Sequence, residues 1–141
     1  MLGQNELKEL AAYSKTLKVL YVEDNSEART QALKLFENFY SDITIALNGE
    51  DGLNKFLTSF NDINSTNYDL IFTDLNMPVM GGIEMIEKIR SFDIDIPIVV
   101  ITAHTEKSLN YDASTHNIKS YLIKPVSLDK FIETMVNIKN R

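Results

Sequence analysis

The stretch Lys18-Val-Leu-Tyr-Val-Glu-Asp24 decides the fold: an apolar, β-branched run that ends abruptly in two carboxylates. A run this short and this continuously apolar reads as a strand covered on both faces, as parallel strands are. The same theme recurs outward along the chain. Asp42-Ile-Thr-Ile-Ala46, Tyr68-Asp-Leu-Ile-Phe-Thr73, Pro97-Ile-Val-Val-Ile-Thr102 and Tyr121-Leu-Ile-Lys124 bring the strand candidates to five. Helical stripes lie between them. Ala28, Ala32, Leu35, Phe36 and Phe39 form one, and Leu53, Phe56, Leu57 and Phe60 a second. Ile83, Ile86 and Ile89 form a third, and Leu128, Phe131, Ile132 and Met135, with Ser127 as N-cap, a fourth. Strands alternating with helices predict an α/β fold with a doubly wound parallel sheet.

Three further segments complete the pattern. Glu106 to His116 is the weakest helix candidate, anchored only by Leu109, Tyr111 and Ala113, and Asn117 is placed to end it in the left-handed conformation. Phe60 to Asn67 is rich in Asn, Asp, Ser and Thr and reads as a surface loop. Asn5 to Leu17 carries Leu7, Leu10, Ala11 and Leu17 at nearly helical spacing. Residues 1–16 are therefore expected to be an extension, helical in pattern, before a domain over 17–141.

Composition narrows the function. A chain of 141 residues fits one domain, and 44% hydrophobic with 24% charged residues is ordinary for a globular protein. The absence of cysteine removes disulfides, thiolate metal sites and cysteine nucleophiles. A net charge of −6 opposes a broad electrostatic grip on nucleic acid or anionic lipid. No apolar run approaches the ~20 residues of a membrane span, and charges interrupt residues 1–10 where a signal peptide needs an apolar core. The expectation is a cytoplasmic protein with no direct nucleic-acid contact and no membrane insertion.

In an open parallel sheet, ligands bind beyond the carboxyl ends of the strands. Those ends carry Glu23-Asp24, Thr73-Asp74, Thr102 and Lys124-Pro125. Any one of these alone reads as a cap or a solvated loop residue; together, on one rim, they describe a site. Crowded carboxylates repel unless a cation sits among them, and oxygen ligands suit Mg²⁺. Asp24 and Asp74 serve as direct ligands, Glu23 acts through water, and a backbone carbonyl just after Asp74 adds an oxygen. Lys124 and Thr102 suit phosphoryl oxygens, as point charge and hydroxyl donor.

Val19-Leu-Tyr-Val-Glu-Asp-Asn25, Asp74-Leu-Asn-Met-Pro-Val-Met-Gly-Gly82, Ile101-Thr-Ala103 and Tyr121-Leu-Ile-Lys-Pro125 together resemble a two-component response-regulator receiver domain of the chemotaxis-regulator kind, over about residues 17–139. The resemblance implies a flavodoxin-like five-stranded sheet in the order 2-1-3-4-5. It implies that Asp74 accepts a phosphoryl group from a sensor histidine kinase or phosphotransfer protein. Glu23, Asp24, Asp74 and the carbonyl of Asn76 would hold Mg²⁺, and Thr102 and Lys124 would sense the phosphate. Tyr121 matches the family's rotating switch aromatic, and the Lys124–Pro125 bond would be cis. On this reading phosphorylation draws Thr102 toward Asp74, Tyr121 enters the vacated space, and a protein-binding surface changes its preference. The protein is then a signalling switch and no enzyme beyond its own phosphorylation and dephosphorylation. Its output is a downstream protein or an effector domain outside this chain.

Some positions depart from the family pattern. Gly81 replaces the usual Asp, Asn117-Ile118 the usual Gly-Ala, and Lys119-Ser120 the acidic pair of the winged-helix branch. His104 borders the site by sequence, and His116 receives no role. Two other classes compete. A haloacid-dehalogenase-type phosphatase needs an acid two residues after its nucleophile, where Asn76 cannot donate and recover a proton. A flavodoxin-like flavin carrier needs a phosphate-cradling loop where Glu23-Asp24 would repel phosphate. A degenerate receiver is a further alternative, although every required residue is present.

Overall fold

A computed structural model describes residues 2–103 and 116–141. Most of the helix expected over 106–116, and His104, lie outside the described residues. The elements are α1 (Gln4–Ser14), β1 (Lys18–Val22), α2 (Ser26–Phe36), β2 (Asp42–Ala46), α3 (Gly49–Asn61) and β3 (Leu70–Thr73). They continue with α4 (Gly82–Arg90), β4 (Ile98–Thr102), β5 (Ser120–Ile123) and α5 (Leu128–Lys139). The strands form one parallel sheet in the order β2-β1-β3-β4-β5, the flavodoxin-like order. β3 and β4 are buried throughout and β1 nearly so, which is why their sequences are continuously apolar, while the edge strands β2 and β5 are partly exposed.

Alternation along each strand sends side chains to two cores. Val19, Tyr21, Phe72 and Ile101 join Phe36 of α2 and Phe131, Met135 and Ile138 of α5 on one face. Leu20, Val22, Ile71 and Val100 meet Phe56 of α3 and Met85, Ile86 and Ile89 of α4 on the other. Three helices begin at side-chain N-caps, and Ser127 is the one that the sequence predicts. Asn25 accepts the Ala28 N–H (2.8 Å), Asn48 the Asp51 N–H (2.9 Å) and Ser127 the Lys130 N–H (3.2 Å). The N-terminal segment is helical, packs against α5, and sends Leu10 into the first core at 1% exposure.

Several boundaries differ from expectation. β3 starts at Leu70 instead of Tyr68, because the Asp69 carboxylate turns back to accept the Lys18 N–H at 2.8 Å. α3 continues through Asn61, since Phe60 stacks on Phe56 with ring centroids 5.5 Å apart, so the loop begins later than residue 60. Phe39 lies beyond the end of α2, yet a turn folds it back to pack 4.8 Å from Phe131. Leu128 is half exposed on the first turn of α5 and does not share that helix's buried stripe. Asn117 is left-handed, with φ 55°, as its sequence position suggests. Among the described residues no helix is long and apolar enough to cross a membrane.

Candidate acidic phosphoryl site

Backbone pairing continues one residue past three strands and thereby brings the functional side chains together. Glu23 N–H donates to Ala46 C=O (3.0 Å), Asp74 N–H to Val22 C=O (3.1 Å) and Lys124 N–H to Thr102 C=O (2.8 Å). Because β1 and β3 are neighbours, Glu23 and Asp24 stand beside Asp74, at the crevice where strand order reverses. One carboxylate oxygen from each of Glu23, Asp24 and Asp74 lies within 4.8 Å of the others.

Lys124 is the counter-charge. Its Nζ lies 2.6 Å from Glu23 Oε1 and donates to Asp74 Oδ2 at 2.9 Å. Burial lowers the pKa of this ammonium, but the hydrogen bonds to Glu23 and Asp74 overcome that and leave it raised. Glu23 is fully buried, and burial pushes its carboxyl up against the pull of Lys124 and the Asn25 N–H. Asp74 is 8% exposed, with Oδ1 accepting the Leu75 N–H at 2.7 Å. Asp24 is exposed at the mouth.

An open cleft of about 390 Å³ joins these groups, and Asp24, Asp74, Asn76 and Lys124 all line it. Thr102 ends β4 fully buried and is not among the residues lining the cleft. Tyr121, partly buried in β5, packs against the second core. The Lys124–Pro125 bond is cis. His116 lies 3.5 Å from Glu87, and its carbonyl accepts Arg90 Nε at 2.7 Å. Hard carboxylate oxygens converging beside a carbonyl-bearing loop fit a small divalent cation such as Mg²⁺.

The loop that follows Asp74 is tightly held. The Gly82 N–H donates to Leu75 C=O at 2.9 Å, and a Cβ at Gly82 would collide with the Asp74 carbonyl oxygen. Gly81 caps α4 with no side-chain hydrogen bond, which is the local consequence of Gly at that position. Val79 has φ 67°, a left-handed conformation costly for a β-branched residue, and the Met80 N–H closes a three-residue turn onto Pro78 C=O at 2.7 Å. Strain of this kind costs on the order of 1–3 kcal/mol.

Strand-end reasoning did not reach Arg29, which donates to the Glu23 carbonyl at 2.8 Å, or Glu27 and Gln31, which line the cleft from α2. Glu27 and Gln31 stand three and seven residues after Asp24, near one and two helical turns, but spacing alone does not give the rotation of α2.

Residues 19–136 match the family model described as the response regulator receiver domain. The chain is 30% identical over 122 residues to the chemotaxis protein CheY of Treponema pallidum, covering 86% of this chain and 81% of that protein. It is 34% identical over 123 residues to hybrid signal transduction histidine kinase D of Dictyostelium discoideum, covering 85% of this chain but 7% of the kinase. The response regulator protein TrrA from Thermotoga maritima, solved in complex with Mg(2+)-BeF, superposes with a TM-score of 0.69 at 29% identity, covering 86% of this chain and 98% of that one. The chain belongs to the response regulator receiver domain family.

Proposed function

We propose that Asp74 accepts a phosphoryl group from a sensor histidine kinase or phosphotransfer protein, with Mg²⁺ required, and that the phosphorylated form presents an altered protein-binding surface. Receiver domains are signalling switches of two-component systems that bind Mg²⁺ at an acidic site. The observation that carries the reading here is the placement of Lys124 between Glu23 and Asp74 at the head of an acidic cleft.

The chemistry follows from these positions. Asp74 lines the open cleft, where its carboxylate can attack phosphorus, forming an O–P bond as the donor's bond to phosphorus breaks. Glu23, Asp24, Asp74 and the Asn76 carbonyl would hold the cation, which when bound neutralises charge on the carboxylates and phosphoryl oxygens. Lys124 exchanges part of its contact with Asp74 for a phosphoryl oxygen, and Thr102 supplies a hydroxyl from β4. Tyr121 is the proposed switch aromatic on β5. Leu17 to Arg141 forms the receiver proper in this reading, and residues 1–16 an added helix that buries Leu10. Such a protein works in the cytoplasm with protein partners, without direct nucleic-acid contact or membrane insertion.

Beryllofluoride, which mimics a carboxylate-bound phosphoryl group, tests the site without a cognate kinase. The wild-type protein should bind it only with Mg²⁺ present. Lys124→Ala should weaken that binding about tenfold or more, the scale of a lost charged hydrogen bond. Folded wild-type protein that binds no beryllofluoride with Mg²⁺ would point instead to a constitutive binding domain.

A further inference from the structure

Asp24 is the exposed member of the acidic cluster. Among the described residues its side chain takes no hydrogen bond, so the backbone that carries it sets its direction. Two peptide units meet at its Cα. The unit shared with Glu23 is held by Arg29, whose Nη1 donates to the Glu23 C=O at 2.8 Å. The unit shared with Asn25 is held by the Asn25 N–H, which donates to Glu23 Oε2 at 3.2 Å. Arg29 grips the far side as well, since its own N–H donates to the Asn25 C=O at 3.0 Å at the start of α2. Glu23 is fully buried and anchored to β2 through its N–H. One residue therefore clamps the chain on both sides of Asp24.

Neither nearby field favours a cation at this position. The partial positive charge of a helix N-terminus opposes it, and so would a divalent ion among Glu23, Asp24 and Asp74. What the guanidinium gains is its hydrogen bond to the turn. We infer that Arg29 is a positioning residue for the metal site: it fixes the turn that aims Asp24, and so sets a preference for Mg²⁺ over Ca²⁺. Mg²⁺ demands near-octahedral oxygens at about 2.0–2.1 Å, whereas Ca²⁺ accepts about 6–8 oxygens in flexible geometry. A ligand on a rigid turn suits the first ion, and a ligand on a loose turn the second. The inference rests on the reading of this cluster as a Mg²⁺ site.

Titration of the metal-free protein with MgCl₂ and with CaCl₂, followed by amide NMR shifts, tests it. Arg29→Met keeps the apolar stem of the side chain and loses the guanidinium. It should bind Mg²⁺ about tenfold more weakly than wild type, the scale for a group that orients a metal ligand. Ca²⁺ should lose less, so the ratio of Mg²⁺ to Ca²⁺ affinity should fall. Loss of the charge alone would act the other way, tightening both ions alike, and loss of stability alone would leave the ratio unmoved. Arg29→Lys keeps the charge without the planar fork and should recover part of the loss; it carries the same test if the methionine variant does not fold. In metal-free protein the Asn25 amide should exchange with deuterium faster in Arg29→Met than in wild type. Either variant, folded, that binds Mg²⁺ as tightly as wild type, or loses Mg²⁺ and Ca²⁺ equally, would overturn the inference. Wild-type protein that binds no Mg²⁺ would refute the metal reading itself, and the inference with it.

Discussion

Glu23 carries a carboxylate into full burial, and burial outweighs the hydrogen bonds that Lys124 and Asn25 offer it, so its pKa is raised. A carboxyl with a raised folded-state pKa holds its proton more tightly in the native state than in the unfolded chain. Its contribution is therefore lost as pH rises from the ordinary value of 4.5 through the folded value. Lys124 is also raised, from 10.5, so its pairing stabilises the fold below that pH and is lost as pH climbs through the higher folded value. In Mg²⁺-free buffer near neutral pH, Glu23→Gln should melt several degrees higher than wild type, at roughly 3 °C for each kcal/mol in a chain of this size. The same substitution should weaken Mg²⁺ binding; a lower melting temperature would show that the Lys124 pair outweighs the burial. Glu23, Asp24, Asp74 and Lys124 were legible in the sequence because strand ends reveal themselves as breaks in apolar runs. Arg29 and Gln31 were not, because helix rotation cannot be read from spacing alone.

Element by element, what could be read from the residues was set by how strongly local chemistry specified each segment. β1 and β2 begin and end where their apolar runs do, and the caps at Asn25, Asn48 and Ser127 are local signals that tertiary contacts did not override. The ends of β3 and α3 moved because Asp69 and Phe60 found partners distant in sequence or one helical turn away. The strained turn at Val79 had no signal, since a β-branched residue is a poor candidate for positive φ. The N-terminal helix shows most clearly what packing adds: its sequence gives a weak apolar stripe, yet Leu10 lies fully in the core that α2 and α5 share. Leu10→Ala should therefore cost about 2–5 kcal/mol in urea denaturation, the range for a buried leucine. A cost near zero would mean that α1 is peripheral to the cooperative unit.

Across the whole molecule, the parallel order β2-β1-β3-β4-β5 gathers the site from segments far apart in the chain. It sets the carboxyl ends of β1 and β3 side by side, and it brings the end of β5, through β4, close enough for Lys124 to reach both Glu23 and Asp74. The strand order thereby sets which charges meet at the site. On the proposed reading, that arrangement makes Asp74 the phosphoryl acceptor, with Mg²⁺ required. The most direct test is the intact mass of the protein after incubation with acetyl phosphate, with and without Mg²⁺, beside Asp74→Asn. The account predicts one phosphoryl group on the wild type only when Mg²⁺ is present, and none on the variant. An adduct that persists in Asp74→Asn, or no adduct on folded wild-type protein with Mg²⁺, would contradict it.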